Sequence, residues 1–234
     1  MDRLTRSKLK TDRFAVEVEH SVEYVSEHRK QVIQYGAIAV VVVLIIAGIY
    51  YYRDRQHDQR QQELSQAMDI MQAAISMVPP TGGGLYFPDD AARNAAAGKA
   101  FQGLIAKRSG SQEATIAALY LGALSMDENK VAEAEKYFKQ AADSGDKNYA
   151  SMGKLSLAQV YLTSNRQAEG EKLLRSLYEN PTLFVSKEQA AIELARAISA
   201  SKPAEARKLL EPLRTGRPAV GQVAMSLLAK LPTQ

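Results

Sequence analysis

Ala134-Glu-Lys-Tyr-Phe138-Lys-Gln-Ala141 carries a small residue, a large apolar residue four positions later and another apolar residue three further on. The pattern returns 36 residues later at Gly170-Glu-Lys-Leu-Leu174-Arg-Ser-Leu177, and 36 later again at Ala206-Arg-Lys-Leu-Leu210-Glu-Pro-Leu213. An earlier copy, Ala97-Gly-Lys-Ala-Phe101-Gln-Gly-Leu104, lies 37 residues upstream of the first. Spacings of four and three place these positions on one face of a helix. A fixed period of this length predicts a chain built from structural repeats.

A second signature precedes each later copy and consists of Leu121-Gly122, Leu157-Ala158 and Leu194-Ala195. Turn-like segments follow it, at 127–130, 163–166 and 200–203. We expect the small residues to let two antiparallel helices approach and the large ones to fill the gap between neighbouring hairpins. The predicted fold class is therefore all-α, with a tetratricopeptide-like α-solenoid of helix hairpins over 89–234. A non-repeating helical bundle is the alternative, because the usual tetratricopeptide period is about 34 residues.

An uncharged stretch of 22 residues covers 31–52. Its apolar part, 35–52, would be about 27 Å long as a helix and so matches the hydrocarbon core of a bilayer. Tyrosines stand at both ends, as in the aromatic belts of membrane interfaces. The stretch predicts a single transmembrane helix, since a soluble core helix would keep a polar face and strands rarely reach this length. An uncleaved signal anchor fits better than a cleaved signal peptide, because the preceding tail is long and no cleavage-like site follows.

The charges that flank this stretch leave its orientation open. Arg29 and Lys30 precede it, and Arg53, Arg55 and Arg60 follow it. This count slightly favours a cytoplasmic C-terminal side, but long C-terminal domains cross the membrane largely regardless of charge.

The tail over 1–30 is predicted to be a juxtamembrane helix. Its apolar residues at helical spacing are Phe14, Val18, Val22 and Val25. Alternation around Phe14 also allows a short strand. The apolar face would either lead into the membrane or dock a membrane partner.

Residues 53–78 are predicted to be helical and to be followed by a flexible loop. The apolar stripe of this helix would be Leu64, Met68, Met71 and Ile75. Pro79-Pro80 and the glycines at 82–84 must break the helix. The glycines do not form a phosphate-binding loop, because no Gly-Lys-Ser/Thr follows them. The segment 53–88 is therefore expected to hold a post-membrane helix and a loop. Pro88-Asp89-Asp90 is expected to supply the N-terminal cap and the acidic first turn of the next helix.

The composition excludes several chemistries. The chain of 234 residues has 30 Lys+Arg, 26 Asp+Glu, no cysteine and three histidines, none of them after His57. Thiolate catalysis, iron–sulfur clusters and Cys-based zinc sites are excluded. The carboxylates stand among lysines and arginines, as on solvated helix faces, so we expect no enzyme activity, catalytic residue, cofactor, metal or small-molecule substrate. Scattered basic residues without interleaved aromatics argue against nucleic acid.

Stacked hairpins present a concave groove that suits extended peptides or partner helices. In tetratricopeptide register, the candidate groove residues are Met126, Met152, Leu155, Gln159, Leu162 and Arg196. Methionine and leucine suit apolar recognition, because flexible side chains repack around different ligands. Ordinary packing between helices is the competing explanation for each residue. The predicted function is a membrane-tethered scaffold for protein partners.

A short cytoplasmic-type tail, one signal anchor, an extended post-membrane helix and degenerate tetratricopeptide repeats together resemble the ancillary SecYEG translocon subunit family (YfgM-like). The segment 101–122 is also similar to the repeat starts of bacterial envelope tetratricopeptide proteins, including the cell-division coordinator type. The tail over 1–30 and the insertion over 79–90 depart from the compact pattern of the translocon family.

The translocon resemblance implies a protein of the bacterial inner membrane, with a cytoplasmic N-terminus and a periplasmic C-terminal domain. Its implied partners are the SecYEG translocon, periplasmic chaperones or nascent chains, besides the lipid bilayer. The alternative is an envelope assembly or cell-division coordinator that uses the same repeats.

Overall fold

The computed structural model describes residues 29–232. The predicted juxtamembrane helix with Phe14, Val18, Val22 and Val25 lies outside the described residues. Contacts divide the chain between Asp58 and Gln59 into two units. One helix, α1 (Arg29–Met71), begins in the first unit and ends in the second.

The apolar part of α1 lies in the first unit. The candidate span reaches from Ile33 into the polar part of the helix, and its most apolar window has a mean hydropathy of 2.3 with no residue buried. A helix in the core of a soluble protein would bury most of such a surface. At its polar end the guanidinium of Arg55 lies 5.5 Å from the ring centre of Tyr51. This helix is therefore a candidate membrane anchor or signal sequence.

The predicted helix over 53–78 ends earlier than expected, at Met71. Two short strands, β1 (Ala74–Ile75) and β2 (Tyr86–Phe87), pair in parallel and draw the chain out of the helix before it reaches the prolines. Ile75, which was expected in the helical stripe, is consequently an exposed strand residue. The rest of the predicted stripe packs against the first hydrophobic cluster of the second unit, through Leu64, Met68 and Met71.

The second unit contains the C-terminal part of α1 and a row of helices joined by short turns. These helices are α2 (Asp90–Lys107), α3 (Gln112–Asp127), α4 (Val131–Ala142), α5 (Lys147–Thr163), α6 (Gln167–Glu179), α7 (Lys187–Ile198), α8 (Pro203–Leu210) with a 3-10 turn (Glu211–Leu213), and α9 (Pro218–Lys230). From α2 to α8, each helix packs mainly on its neighbours in sequence, as in stacked hairpins. The predicted all-α solenoid of helix hairpins is confirmed.

The repeated sequence pattern forms the core of these hairpins. Its copies lie on α2, α4, α6 and α8, and their buried members are Ala97, Phe101, Leu104, Ala134, Phe138, Ala141, Gly170, Leu174, Leu177, Ala206 and Leu210. The second signature is buried on α3, α5 and α7. Each of the three later repeats therefore contributes a first helix with the Leu-small pair and a second helix with the small-large-apolar pattern.

Local signals in the sequence set the helix boundaries. As predicted, Asp89 caps α2, and its carboxylate accepts a hydrogen bond of 2.7 Å from the Ala92 N–H. Ser111 caps α3 in the same way, with its hydroxyl accepting from the Ala114 N–H at 3.1 Å. The turns that close α3 and α5 place Asn129 and Asn165 in the left-handed region, with φ of 58° and 59°. Asparagine tolerates this conformation better than other residues with a side chain do.

Candidate partner-binding groove

An apolar cavity of about 880 Å³ lies between α3 and α5, the first helices of two successive hairpins. Phe138 of α4 also contributes to its lining. The lining residues are Ile116, Leu119, Tyr120, Ala123, Met126, Asp127, Phe138, Tyr149, Met152, Ser156, Gln159, Val160 and Thr163. A concave apolar space of this size is typical of a ligand-binding site. We refer to this cavity as the groove.

The groove uses the same face of each repeat. Its wall on α3 includes Ile116 and Ala123, and its wall on α5 includes Met152 and Gln159. Met152 stands 36 residues after Ile116, and Gln159 stands 36 after Ala123. Equivalent positions of two repeats therefore face the same space, which is how a solenoid builds a continuous binding surface.

Aromatic contacts fix both tyrosines of the groove. The ring of Tyr120 stacks on that of Phe101, with ring centres 5.2 Å apart and planes within 3° of parallel. Tyr149 meets Phe184 edge-on at 4.9 Å. Held rings offer a large contact area at a small loss of conformational entropy, so they are suited to binding an apolar partner.

The loop between α6 and α7 extends the apolar surface beyond Tyr149. Thr182 anchors this loop, because its hydroxyl lies 2.7 Å from that of Ser151 and accepts a hydrogen bond from the Val185 N–H at 3.1 Å. The Leu183 N–H donates to the Asn148 side-chain carbonyl at 3.2 Å. Leu183 itself is 88% exposed. A large apolar side chain is thus held out to solvent on a hydrogen-bonded loop.

The charge within the groove is low and of one sign. Asp127, the last residue of α3, is the charged residue of its lining. The last turns of α3 and α5 contain no basic residue. The carbonyl ends of both helices therefore add negative partial charge at the Asp127 end without a basic side chain on those turns.

The structure brings three of the six predicted groove residues together: Met126, Met152 and Gln159 all line the cavity. Leu155 and Leu162 are half-buried and pack against the hydrophobic cluster of the following hairpin. Arg196 is exposed on α7, where its guanidinium lies 2.9 Å from the Glu193 carboxylate.

Sequence reasoning missed Ile116, Tyr120 and Phe138 as groove residues. The repeat period could have identified Ile116, because Ile116 lies one period of 36 residues before Met152, a predicted groove residue. Phe138 was assigned to the core, and it is indeed buried. It also forms part of the groove lining, which a pattern of core positions does not reveal.

A row of ion pairs joins the second helices of neighbouring hairpins. Arg166, just before α6, binds Glu135 of α4 at 2.7 Å, and Lys202, just before α8, binds Glu171 of α6 at 2.6 Å. Arg175 binds Glu205 at 2.7 Å. A hydrogen bond from Lys202, and a second, smaller contribution from the hydrogen bond of Arg175, lower the pKa of Glu171 below its usual value. These pairs connect successive repeats on side chains that do not line the groove.

Within residues 29–232, no group of three or more His, Asp or Glu side chains is arranged as metal ligands.

A family model described as a tetratricopeptide repeat-like domain matches residues 27–189, more than half of the chain. The match reaches from the residues before α1 into the start of α7 and includes both walls of the groove. Comparison with curated proteins and with solved structures gives no match.

Proposed function

Since this chain belongs to the tetratricopeptide repeat-like domain family, we propose that it is a membrane-anchored scaffold that binds protein partners in the groove. The observation that carries the proposal is the apolar cavity of about 880 Å³ between α3 and α5. Apolar surface gathered in a concavity, rather than scattered singly, is typical of an interaction site. Hairpin stacks of this family expose such surfaces by construction.

The proposed anchor is the stretch 31–52 of α1. With the anchor placed there, the proposed division of the chain is a tail at 1–30, a transmembrane signal anchor at 31–52, a post-membrane helix and loop at 53–88, and the repeat domain at 89–234. The exposure of every apolar side chain described between Ile33 and Tyr52 favours this assignment. In the proposed topology, the N-terminus lies in the cytoplasm and the repeat domain lies in the periplasm of a bacterial inner membrane.

The six candidate residues have different proposed roles. Met126, Met152 and Gln159 would contact the partner, because they line the groove. Leu155 and Leu162 would stabilise the position of α5, which forms one wall of the groove, through their packing against the hydrophobic cluster of the following hairpin. Arg196 stands 37 residues after Gln159, so it would continue the binding face onto α7.

The partners that we propose are the SecYEG translocon and periplasmic chaperones or nascent chains. In this role the protein would be an ancillary translocon subunit that links secretion to chaperones. Support comes from the resemblance of the whole architecture to that family. An envelope assembly or cell-division coordinator is the second candidate, because the segment 101–122 resembles its repeat starts.

Site-specific photocrosslinking in intact cells tests the scaffold and its partners. A photoreactive residue at Gln159 in the groove should capture a translocon subunit, a chaperone or a nascent chain. The same residue at Gln140, exposed on α4 outside the groove, is the matched control and should capture none. Absence of polypeptide adducts from both Gln159 and Met152 would contradict the scaffold function.

Topology is tested with a C-terminal reporter enzyme that is active only outside the cytoplasm. Activity is the expected result, and the chain should stay with membranes after alkaline extraction. An inactive reporter would leave the repeat fold intact but remove the secretion role. Co-purification with the translocon in mild detergent distinguishes the first candidate from a division or assembly coordinator, which would bring down other envelope proteins.

A further inference from the structure

The two ends of the groove differ in character. At one end α3 finishes at Asp127 and α5 at Thr163, so a carboxylate lies beside the carbonyl ends of two helices. At the other end, Tyr149 leads to Phe184 and to the protruding Leu183. The groove therefore runs from a negative end to an apolar one.

The position of Asp127 is electrostatically unfavourable in the chain by itself. An acidic side chain at the C-terminus of a helix is repelled by the helix dipole, whereas a basic one is attracted. The nearest basic residue along the chain, Lys130, binds the neighbouring Glu128 at 2.6 Å. A cation brought by a partner would relieve this repulsion.

The rest of the groove sets the remaining chemistry of the partner. Its apolar lining, with Met152 39% exposed, favours a run of apolar side chains. The groove wall contains no lysine or arginine, so it offers no pairing group to an acidic segment. Leu183 is held by its backbone hydrogen bond, which lowers the entropy lost when it contacts a partner.

We propose that the groove binds an apolar polypeptide segment that carries a basic residue at one end, with the basic residue against Asp127 and the apolar side chains running towards Leu183. This inference rests on the proposed scaffold function and specifies the partner of the same site. Charge complementarity and the direction of the apolar surface are the observations behind it.

Peptide binding to the full-length chain in lipid nanodiscs tests the proposal, with binding to empty nanodiscs subtracted. The probes are short fluorescent peptides of alternating leucine and serine that end in two lysines or in two glutamates. We expect the lysine peptide to bind about fivefold more tightly than the glutamate peptide, and this preference to shrink in high salt. A photoreactive group beside the lysines should crosslink near Met126, and one at the opposite end near Phe184.

Two matched pairs of variants locate the effect. Asp127→Asn should reduce the preference for lysine to within about twofold, whereas Asp143→Asn, an exposed carboxylate after α4, should leave it unchanged. Leu183→Ser should weaken both peptides about threefold, whereas Met225→Ser, 49% exposed on α9, should weaken neither. Equal preferences in the Asp127→Asn and Asp143→Asn variants would overturn the assignment of the basic residue to Asp127.

The failure of this inference is distinguishable from failure of the scaffold proposal. Peptides that bind without charge preference, and lose binding in Met152→Ser, would overturn the partner chemistry and leave the scaffold in place. Absence of binding by all peptides would count against both. Crosslinks from Gln159 that join two copies of this chain and resist excess peptide would identify a second copy as the occupant, and would also overturn the proposal.

Discussion

The ring of Phe138 on α4 fills the space that a side chain at Gly122 on α3 would need. A Cβ at position 122 would lie 2.6 Å from Cδ1 of Phe138, far inside van der Waals contact. Phe138 also forms part of the groove lining. The glycine therefore determines how closely α3 and α4 approach, and with it the position of the Phe138 ring in the groove lining.

Gly122→Ala should lower the free energy of unfolding by about 1–3 kcal/mol, because the added methyl group overpacks the contact between α3 and α4. Denaturant unfolding of the full chain in detergent, followed by circular dichroism, measures the change. Gly103→Ala is the matched control, since the space at that helical position is open, and it should be neutral or stabilising by up to about 1 kcal/mol. Equal losses in both variants would show that the Phe138 contact does not limit the approach.

Asn165→Val should destabilise the turn between α5 and α6. Residue 165 has a φ of 59°, which a β-branched side chain adopts at a cost of about 1–2 kcal/mol. Asn165→Gly is the control and should keep wild-type stability or exceed it, because glycine adopts positive φ freely. A thermal midpoint of the valine variant equal to that of the glycine variant would contradict this explanation.

The ion pairs between hairpins should make stability depend on acid pH. Lys202 and Arg175 lower the pKa of Glu171, and Arg175 lowers that of Glu205. A lowered pKa in the folded state adds stability that is fully present above the usual glutamate value of 4.5 and is lost as the pH falls through the folded value. Glu171→Gln should therefore flatten the fall in the free energy of unfolding below that pH. Lys202→Gln should flatten it as well, though less, because Arg175 remains beside Glu171.

Arg60→Met should destabilise the packing of the second-unit part of α1. The guanidinium of Arg60 lies 3.4 Å from the carboxylate of Glu113 on α3, and Glu113 is only 2% exposed. Removal of one partner leaves a buried charge with less compensation, at a cost of about 1–3 kcal/mol. Denaturant unfolding measures the loss, and Lys99→Met, at an exposed position of α2, should change stability little. A comparable loss in both variants would contradict the role of the pair.

Most of the hairpin fold was predictable, because each repeat carries its core residues at the same short spacing along the chain. The spacing from Ala134 to Phe138 and Ala141 is a local consequence of helix geometry, and all three are buried. Asp89 identified a helix start because capping involves the first turn alone. The end of α1 at Met71 could not be predicted in this way, since it depends on pairing between Ile75 and Phe87, which are separated by a loop.

The groove was predictable only in part. Met152 and Gln159 follow from the repeat register, but the register does not tell which neighbour covers a half-exposed position. Leu162 packs on Gly170, where a Cβ would lie 2.8 Å from its side chain. Met126, one period earlier, has its side chain in the groove. The same repeat position thus has two surroundings, and only the three-dimensional packing of adjacent hairpins distinguishes them.

The packing of most helices on their sequence neighbours has a consequence for biogenesis. Nearly every core interface joins segments that leave the ribosome one after the other, so the chain has a low contact order. Each hairpin can close on the one before it as soon as its second helix is available, without waiting for a distant segment. The order of synthesis is then also the order of assembly, and each added hairpin extends the stack by one further interface.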